Sequence, residues 1–334
     1  MVAPNENDEL LDAAVRNQLI EGRYAEGLGK SAGYRVLTDA TRRNRLDAAN
    51  VLDRTRVRRD ALARWERRVR DRLKTTLERE GQRVQTAMGK AATSAAKMQR
   101  EELRRILRRD VRPASKLRIS QAASSSRIQG QPLSKWLSKA SKDLGDESVR
   151  IMRLGLERNQ PVRAILRALG EGRGALGKRA KQQVEALVRT ATVQAQNRAR
   201  IETLRANRKL LRGWRFTAVL DDRTTEICTS YDGQIFPIGE GPVPPLHFRC
   251  RSTVTPVALG VDDASALTRI EWLRRQPREV QDEALGKGKA NLLRQGRLNA
   301  DTLVRADGTP LTLEETRQKI RKASGRRAMR REAE

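Results

Sequence analysis

The sequence predicts a mainly α-helical protein with a small α+β module near residues 180–260, flanked by long basic helices. Three observations predict it. Residues Tyr34 to Glu80 contain neither glycine nor proline, the two residues that most often interrupt helices. Charged residues make up 33% of the 334, aromatics only 3%, and the mean hydropathy is −0.71, so any core is small and aliphatic and much helix surface faces water. After Gly213 the helical period gives way to short apolar runs punctuated by glycine and proline.

Within the first long run, Leu62, Trp65, Val69, Leu73 and Leu77 recur at three- and four-residue spacing, a narrow apolar stripe on a charged helix. Residues 41–110 hold 22 basic and 10 acidic side chains, a net of +12. Such a helix buries one face, against its own chain, an assembly surface or DNA. Residues 111–133, with Pro113, Gly130, Pro132 and Ser124–Ser126, read as a linker. Shorter helical pieces are expected at 133–143, 147–157 and 161–170, broken up by Gly170, Gly172, Gly174 and Gly177. A second strong helix covers roughly 178–209, with Val184, Leu187, Val188, Ala191 and Ala195 on one face, and residues 176–212 carry a net of +8. Trp214, Phe216 and Val219 suit a strand, Asp232-Gly233 a turn, and Gln234–Ile238 a returning strand. The prolines at 242, 244 and 245 stiffen the loop to His247, and Ser252–Val257 reads as a third strand. The tail is helical from about 279, breaks near Asp307-Gly308 and ends in RKASGRRAMRR. The expected organisation is therefore a basic helical region (1–110), a linker with short helices (111–175), the α+β module (176–260) and a helical extension with a basic tail (261–334).

The formal charge is +29 and the pI near 11.3. That excess opposes compaction and favours a polyanion, nucleic acid above all. A membrane is disfavoured, because no stretch approaches the roughly 20 apolar residues of a spanning helix. The acidic start MVAPNENDELLDAAV argues against a secretory signal and for synthesis in a cytoplasm. Gly29-Lys30-Ser31 is no phosphate loop, since Tyr24 occupies the earlier glycine position and no apolar strand precedes it. A hydrolase would have to use His247, the sole histidine, and no nucleophile elbow is present.

The chemistry concentrates in one 23-residue window holding Cys228, His247 and Cys250, the only cysteines and histidine of the chain. Zinc takes about four Cys, His or carboxylate ligands. His247-x-x-Cys250 can grip an ion from one short loop, Cys228 would join from the far end of the hairpin, and Asp221, Asp222 or Asp232 could complete the set. Two buried thiols with a hydrogen-bonded imidazole are the alternative; a Cys228–Cys250 disulfide is disfavoured in a reducing cytosol. A metal-dependent nuclease using Asp221, Asp222, Glu226 and His247 is the enzymatic rival. Against it, residues 221–256 carry a net of −2, a poor surface for DNA. Trp214 and Phe216 are expected in the core, and Arg223 and Arg251 beside carboxylates.

Residues Val188–Pro256 resemble the phage head morphogenesis family, the Mu F-like minor head proteins of tailed phages. The resemblance runs through VRTATVQAQNRARIETLRANRK, GWRFTAVLDDRTTEIC, YDGQIF, PPLHFRCRS and TPV. Its most specific part is D-x-R-T before a cysteine, then D-G, then P-P-x-H-x-x-C-R. The segment ALGKGKANLLRQGRLNADTLVRADGTPLTLEE resembles the family's C-terminal extension more loosely; the first 110 residues carry no resemblance. Many relatives have cysteines where Thr225 and Ser252 stand, so either Asp222 replaces a ligand or hydrogen bonds replace the ion. The resemblance implies a structural, non-enzymatic virion component inside the phage head, made in the host cytoplasm and present in multiple copies. Its implied partners are the portal protein, the major capsid protein or both; the basic helices add packaged double-stranded DNA bound non-specifically, and the Cys–His–Cys spacing adds zinc as a structural cofactor. A zinc-stabilised DNA-binding protein outside phages is the other reading.

Overall fold

An asparagine opens the first helix. The Asn5 side chain accepts from the backbone N–H groups of Asn7 and Asp8, and the Asp8 carboxylate accepts from Asn5 N–H, a reciprocal cap that fixes the start of α1 (Glu6–Val36). In the computed structural model, residues 5–53, 57–170, 175–219, 224–261, 273–298, 302–303 and 311–331 are described. A π-helical turn (Leu37–Arg42) leads into α2 (Arg43–Leu52), and α3 runs 49 residues from Arg59 to Leu107. Then come α4 (Lys116–Ser124), a two-residue hairpin of β1 (Arg127–Ile128) and β2 (Gln131–Pro132), α5 (Leu133–Glu157), α6 (Val162–Ala168) and α7 (Ala175–Ala206).

The apolar stripe of α3 is covered by its own chain. Trp65, Val69, Leu73, Leu77, Val84 and Met88 are buried in one core with Leu137, Leu144 and Met152 of α5 and Val184, Leu187, Val188 and Ala191 of α7. Trp65 is fully buried and its indole N–H donates to the Asn44 carbonyl. Helix α1 lies closer still to α7. A Cβ placed on Gly29 or Gly33 would sit 2.8 Å from the carbonyl oxygen of Glu185 or Lys181. Glycines four apart therefore let two backbones touch, which explains Gly29 without any phosphate chemistry.

Two local expectations need correcting. The pieces 133–143 and 147–157 are one helix, because Gly145 is a packing glycine: its Cβ would meet Arg70 Cγ at 3.1 Å. The segment 111–133 is not an irregular linker; Ser115 caps α4, and Gln129 and Gly130, both at positive φ, turn the β1–β2 hairpin.

The module follows. Strand β3 (Leu211–Thr217) is central, with β4 (Ile235–Phe236) and β5 (Thr253–Ala258) antiparallel on either side. Short α8 (Glu226–Tyr231) lies between β3 and β4. Trp214 and Phe216 are fully buried as expected. Their core includes Leu10 and Ala13 of α1 and Leu103, Ile106 and Leu107 of α3, so the first 110 residues supply part of the sheet's cover. Asn7 Oδ1 accepts from Ala258 N–H at 2.8 Å, joining the first helix to the last strand. The tail helices α9 (Arg278–Arg294) and α10 (Leu313–Arg331) pack through Leu285, Leu293 and Ile320 on Leu11 and Val15 of α1. The expected break at Asp307-Gly308 falls outside the described residues.

Candidate metal centre

Helix α7 positions the site. Three of its buried polar residues, Thr190, Asn197 and Arg200, hold the loop that carries His247 and the strand after it. The Asn197 amide donates to the carbonyls of Pro244 (3.2 Å) and Ser252 (3.1 Å), clamping the loop at both ends. Thr190 Oγ1 accepts from Arg249 N–H at 2.9 Å, where Arg249 adopts a left-handed φ of 60°. Arg200 hydrogen-bonds Thr253 and pairs with Glu21 of α1 at 2.8 Å, all three groups being buried. Phe248 stands edge-on to Trp136 of α5, ring centroids 5.0 Å apart. Within the loop, Cys250 N–H donates to His247 C=O, the tight turn that the H-x-x-C spacing allows.

This scaffold brings three of the four predicted ligands together. Cys228 Sγ lies 3.1 Å from His247 Nε2 and 3.5 Å from Cys250 Sγ, and the three donor atoms all fall within 4.8 Å of one another. Both cysteines are buried and free, so the sulfurs are not bonded to each other. His247 Nδ1 sits 2.9 Å from the Phe248 carbonyl. A carbonyl only accepts, so Nδ1 donates to the backbone and Nε2 is the nitrogen left facing the sulfurs, the orientation a metal needs. Asp222, with Asp221 and Arg223, lies outside the described residues. Asp232 is used elsewhere: its Oδ1 accepts from Ala218 N–H at 2.6 Å.

The titration of the cluster is shared. A hydrogen bond from Cys228, with contributions from His247 and Ser252, holds the Cys250 thiol well below its usual range against the effect of burial. The same contact with Cys250, and burial, push the Cys228 thiol up. A hydrogen bond to Cys250 raises His247. The hydroxyls of Thr225 and Ser252 both reach Cys228. Thr225 and Ser252 therefore border the cluster as hydroxyls.

Two cysteines and a histidine, bound as thiolates and a neutral imidazole, suit zinc, whose donors at about 2.3 and 2.1 Å lie about 3.5–3.8 Å apart in a tetrahedron. The distances here fall at or slightly inside that range, so the cluster could hold a metal ion with small outward movement. Residues 150–255, which include the Asn197 clamp and all three donors, match the family model described as Phage Mu protein F like protein. Over these residues the chain is similar to that family. No curated protein and no solved structure matches the chain. The match begins within α5, upstream of where the sequence motifs become recognisable, and ends within β5. Thr190, Asn197 and Arg200 of this module are positioning residues that motif reading did not single out. A polar residue on a basic helix looks solvent-facing until the loop is seen to cover it. No described helix is long and apolar enough to cross a membrane.

Proposed function

We propose that the protein is a structural minor head protein of a tailed phage, acting inside the head near the portal or capsid. It aids head assembly and contacts packaged double-stranded DNA non-specifically, in multiple copies and without turnover. The observation that carries this reading is the uneven charge along the chain, near neutral around the cysteine and histidine donors and basic in the long helices. Residues 221–256 carry a net of −2 while residues 41–110 carry +12. Because the stripe of α3 is consumed internally, Arg64, Arg67, Arg68, Arg79, Arg83 and Arg104 are left exposed. The segment 221–256, which carries the histidine loop, is a poor DNA surface and a better protein-docking one; the long helix is the reverse.

Cys228, His247 and Cys250 would hold zinc in this reading, with Asp222 as fourth ligand. Bound zinc would supply a structural clamp joining α8 to the histidine loop. Elemental analysis of purified protein should give one zinc per chain, lost in His247→Ala; metal-free protein whose alanine variants fold normally would remove zinc from the proposal. Duplex binding should weaken steeply with salt, because phosphate neutralisation releases counterions. A flat salt response would remove the DNA contact. Metal-dependent DNA cleavage that disappears in His247→Ala would replace the structural reading with the nuclease.

A further inference from the structure

Beside the C-terminal half of α7, three arginines and one carboxylate line a cleft, and a fourth arginine stands close to them. Arg198 and Arg205 stand two turns apart on α7, Arg118 comes from α4, and Arg127 from β1. A cleft of about 410 Å³ is lined by Arg118, Arg198, Arg205, Gln121, Ser125 and Glu202. Glu202 serves two of the four: it pairs with Arg205 at 2.5 Å and with Arg118 at 3.6 Å. Arg198 is half-buried and has neither an ion pair nor a hydrogen bond among the described residues. Burial and the neighbouring Arg127 and Arg205 all disfavour its charge.

An arginine cannot escape this position by losing a proton. A half-buried cation facing other cations is a standing cost unless an anion neutralises it. The guanidinium fork matches a tetrahedral oxyanion in a bidentate way, and the Gln121 amide and Ser125 hydroxyl offer neutral donors at the rim. The arginines are carried by packed elements, so the cleft exists before any ligand arrives.

We infer that this cleft binds a phosphate group, with Arg198 as its innermost contact. On the proposed reading of the protein, on which this second step rests, the phosphate belongs to the backbone of the packaged duplex. The cleft is distinct from the exposed arginines of α3: they offer diffuse charge, whereas Arg198 offers a seat.

The test uses the full chain, with inorganic phosphate as probe, in thermal unfolding at matched ionic strength in chloride. Phosphate should raise the melting midpoint of the unmodified protein; the rise should vanish in Arg198→Gln and shrink in Arg118→Gln. In chloride, Arg198→Gln should melt at or above the unmodified protein, since it removes an uncompensated charge. The Arg118 side chain is 66% exposed, so that variant keeps the test available should Arg198→Gln not fold. An equal phosphate response in all three proteins, or none in the unmodified one, overturns the site. Titration of labelled duplex DNA then identifies the source. Arg198→Gln should lower the salt slope by about 1 and weaken binding several-fold, more than Arg104→Gln on α3. An Arg198-dependent phosphate response with an unchanged duplex slope overturns the backbone assignment alone. Failure of the unmodified protein to bind duplex would sink the DNA-contacting reading while leaving the phosphate seat standing.

Discussion

The helical bundle of α3, α5 and α7 and the loop that carries His247 lie against opposite parts of the same helix, yet different forces hold them. The bundle rests chiefly on apolar packing: Trp65, Val69, Leu73 and Leu77 share one core with Val184, Leu187 and Val188. The loop is held by directed bonds to backbone, from Asn197 to Pro244 and Ser252 and between Thr190 and Arg249. Apolar packing tolerates sliding and exchange of similar side chains. Hydrogen bonds to fixed carbonyls do not, and a site whose three donors must converge to within a few ångströms requires the second kind of support.

The largest expected effect tests whether the two regions are energetically joined. Trp65→Ala removes a fully buried indole and should cost about 3–5 kcal/mol, measured by denaturant unfolding. Leu103, Ile106 and Leu107 of α3 sit in the sheet's own core, so both regions should lose stability in one transition. Two separate transitions, with the module unmoved, would break the comparison by making the module a unit of its own.

Next in size is Asn197→Ala. It leaves two buried carbonyls without their donor, at about 1–3 kcal/mol. Unlike Trp65→Ala, it should also loosen the geometry of His247 and Cys250 and weaken the proposed metal binding there by about 10- to 100-fold, as loss of a supporting residue around a metal ligand does. Equal loss of stability with unchanged metal affinity would show that the clamp serves folding alone.

That asymmetry also explains what could be read from the chain. The stripes of α3 and α7 are legible because burial on a helix imposes a period of 3.6, and three strands near 211–258 follow from the change of period and the turn signals. The Cys–His–Cys cluster is legible because its residue types occur nowhere else. Gly145 is misleading: a glycine in a helix is read as a break, and only the approach of Arg70 shows it to be a packing position. Gly29 and Gly33 are silent for the same reason. Asn197, Thr190 and Arg198 cannot be sorted by sequence, since one faces a loop, one a turn and one a cleft only after α4, β1 and the proline loop are placed around α7.

A smaller effect comes from α1, where it meets the tail helices. Burial raises the Asp12 carboxyl from 3.8 to about 6, against the opposing pull of Arg16 and Arg275, and its Oδ1 is buried without a hydrogen bond. Between pH 4 and 6 the folded chain holds a proton that the unfolded chain has released. Stability from this group therefore falls as pH rises through that window and stays lower above it. Asp12→Asn should flatten the dependence and stabilise the protein at pH 7 by less than about 2 kcal/mol, the figure reduced for partial exposure. A variant whose pH profile matches the unmodified protein would show that other groups set it.

The smallest effect on folding should be the largest on DNA. Arg67, Arg79 and Arg104 are exposed on α3 and make no ion pair among the described residues. Changing each to Gln should move stability by no more than about 0.5 kcal/mol. If α3 faces the duplex, the triple variant should lower the salt slope of binding by about 0.9 for every phosphate it no longer neutralises, with no change in sequence preference. Changing Arg249 and Arg251 in the near-neutral segment 221–256 should leave that slope where it was. The opposite pattern, a slope governed by the histidine loop and indifferent to α3, would reverse the division of labour: the module would face the genome, and the cationic surface of α3 would need an acidic protein as its partner.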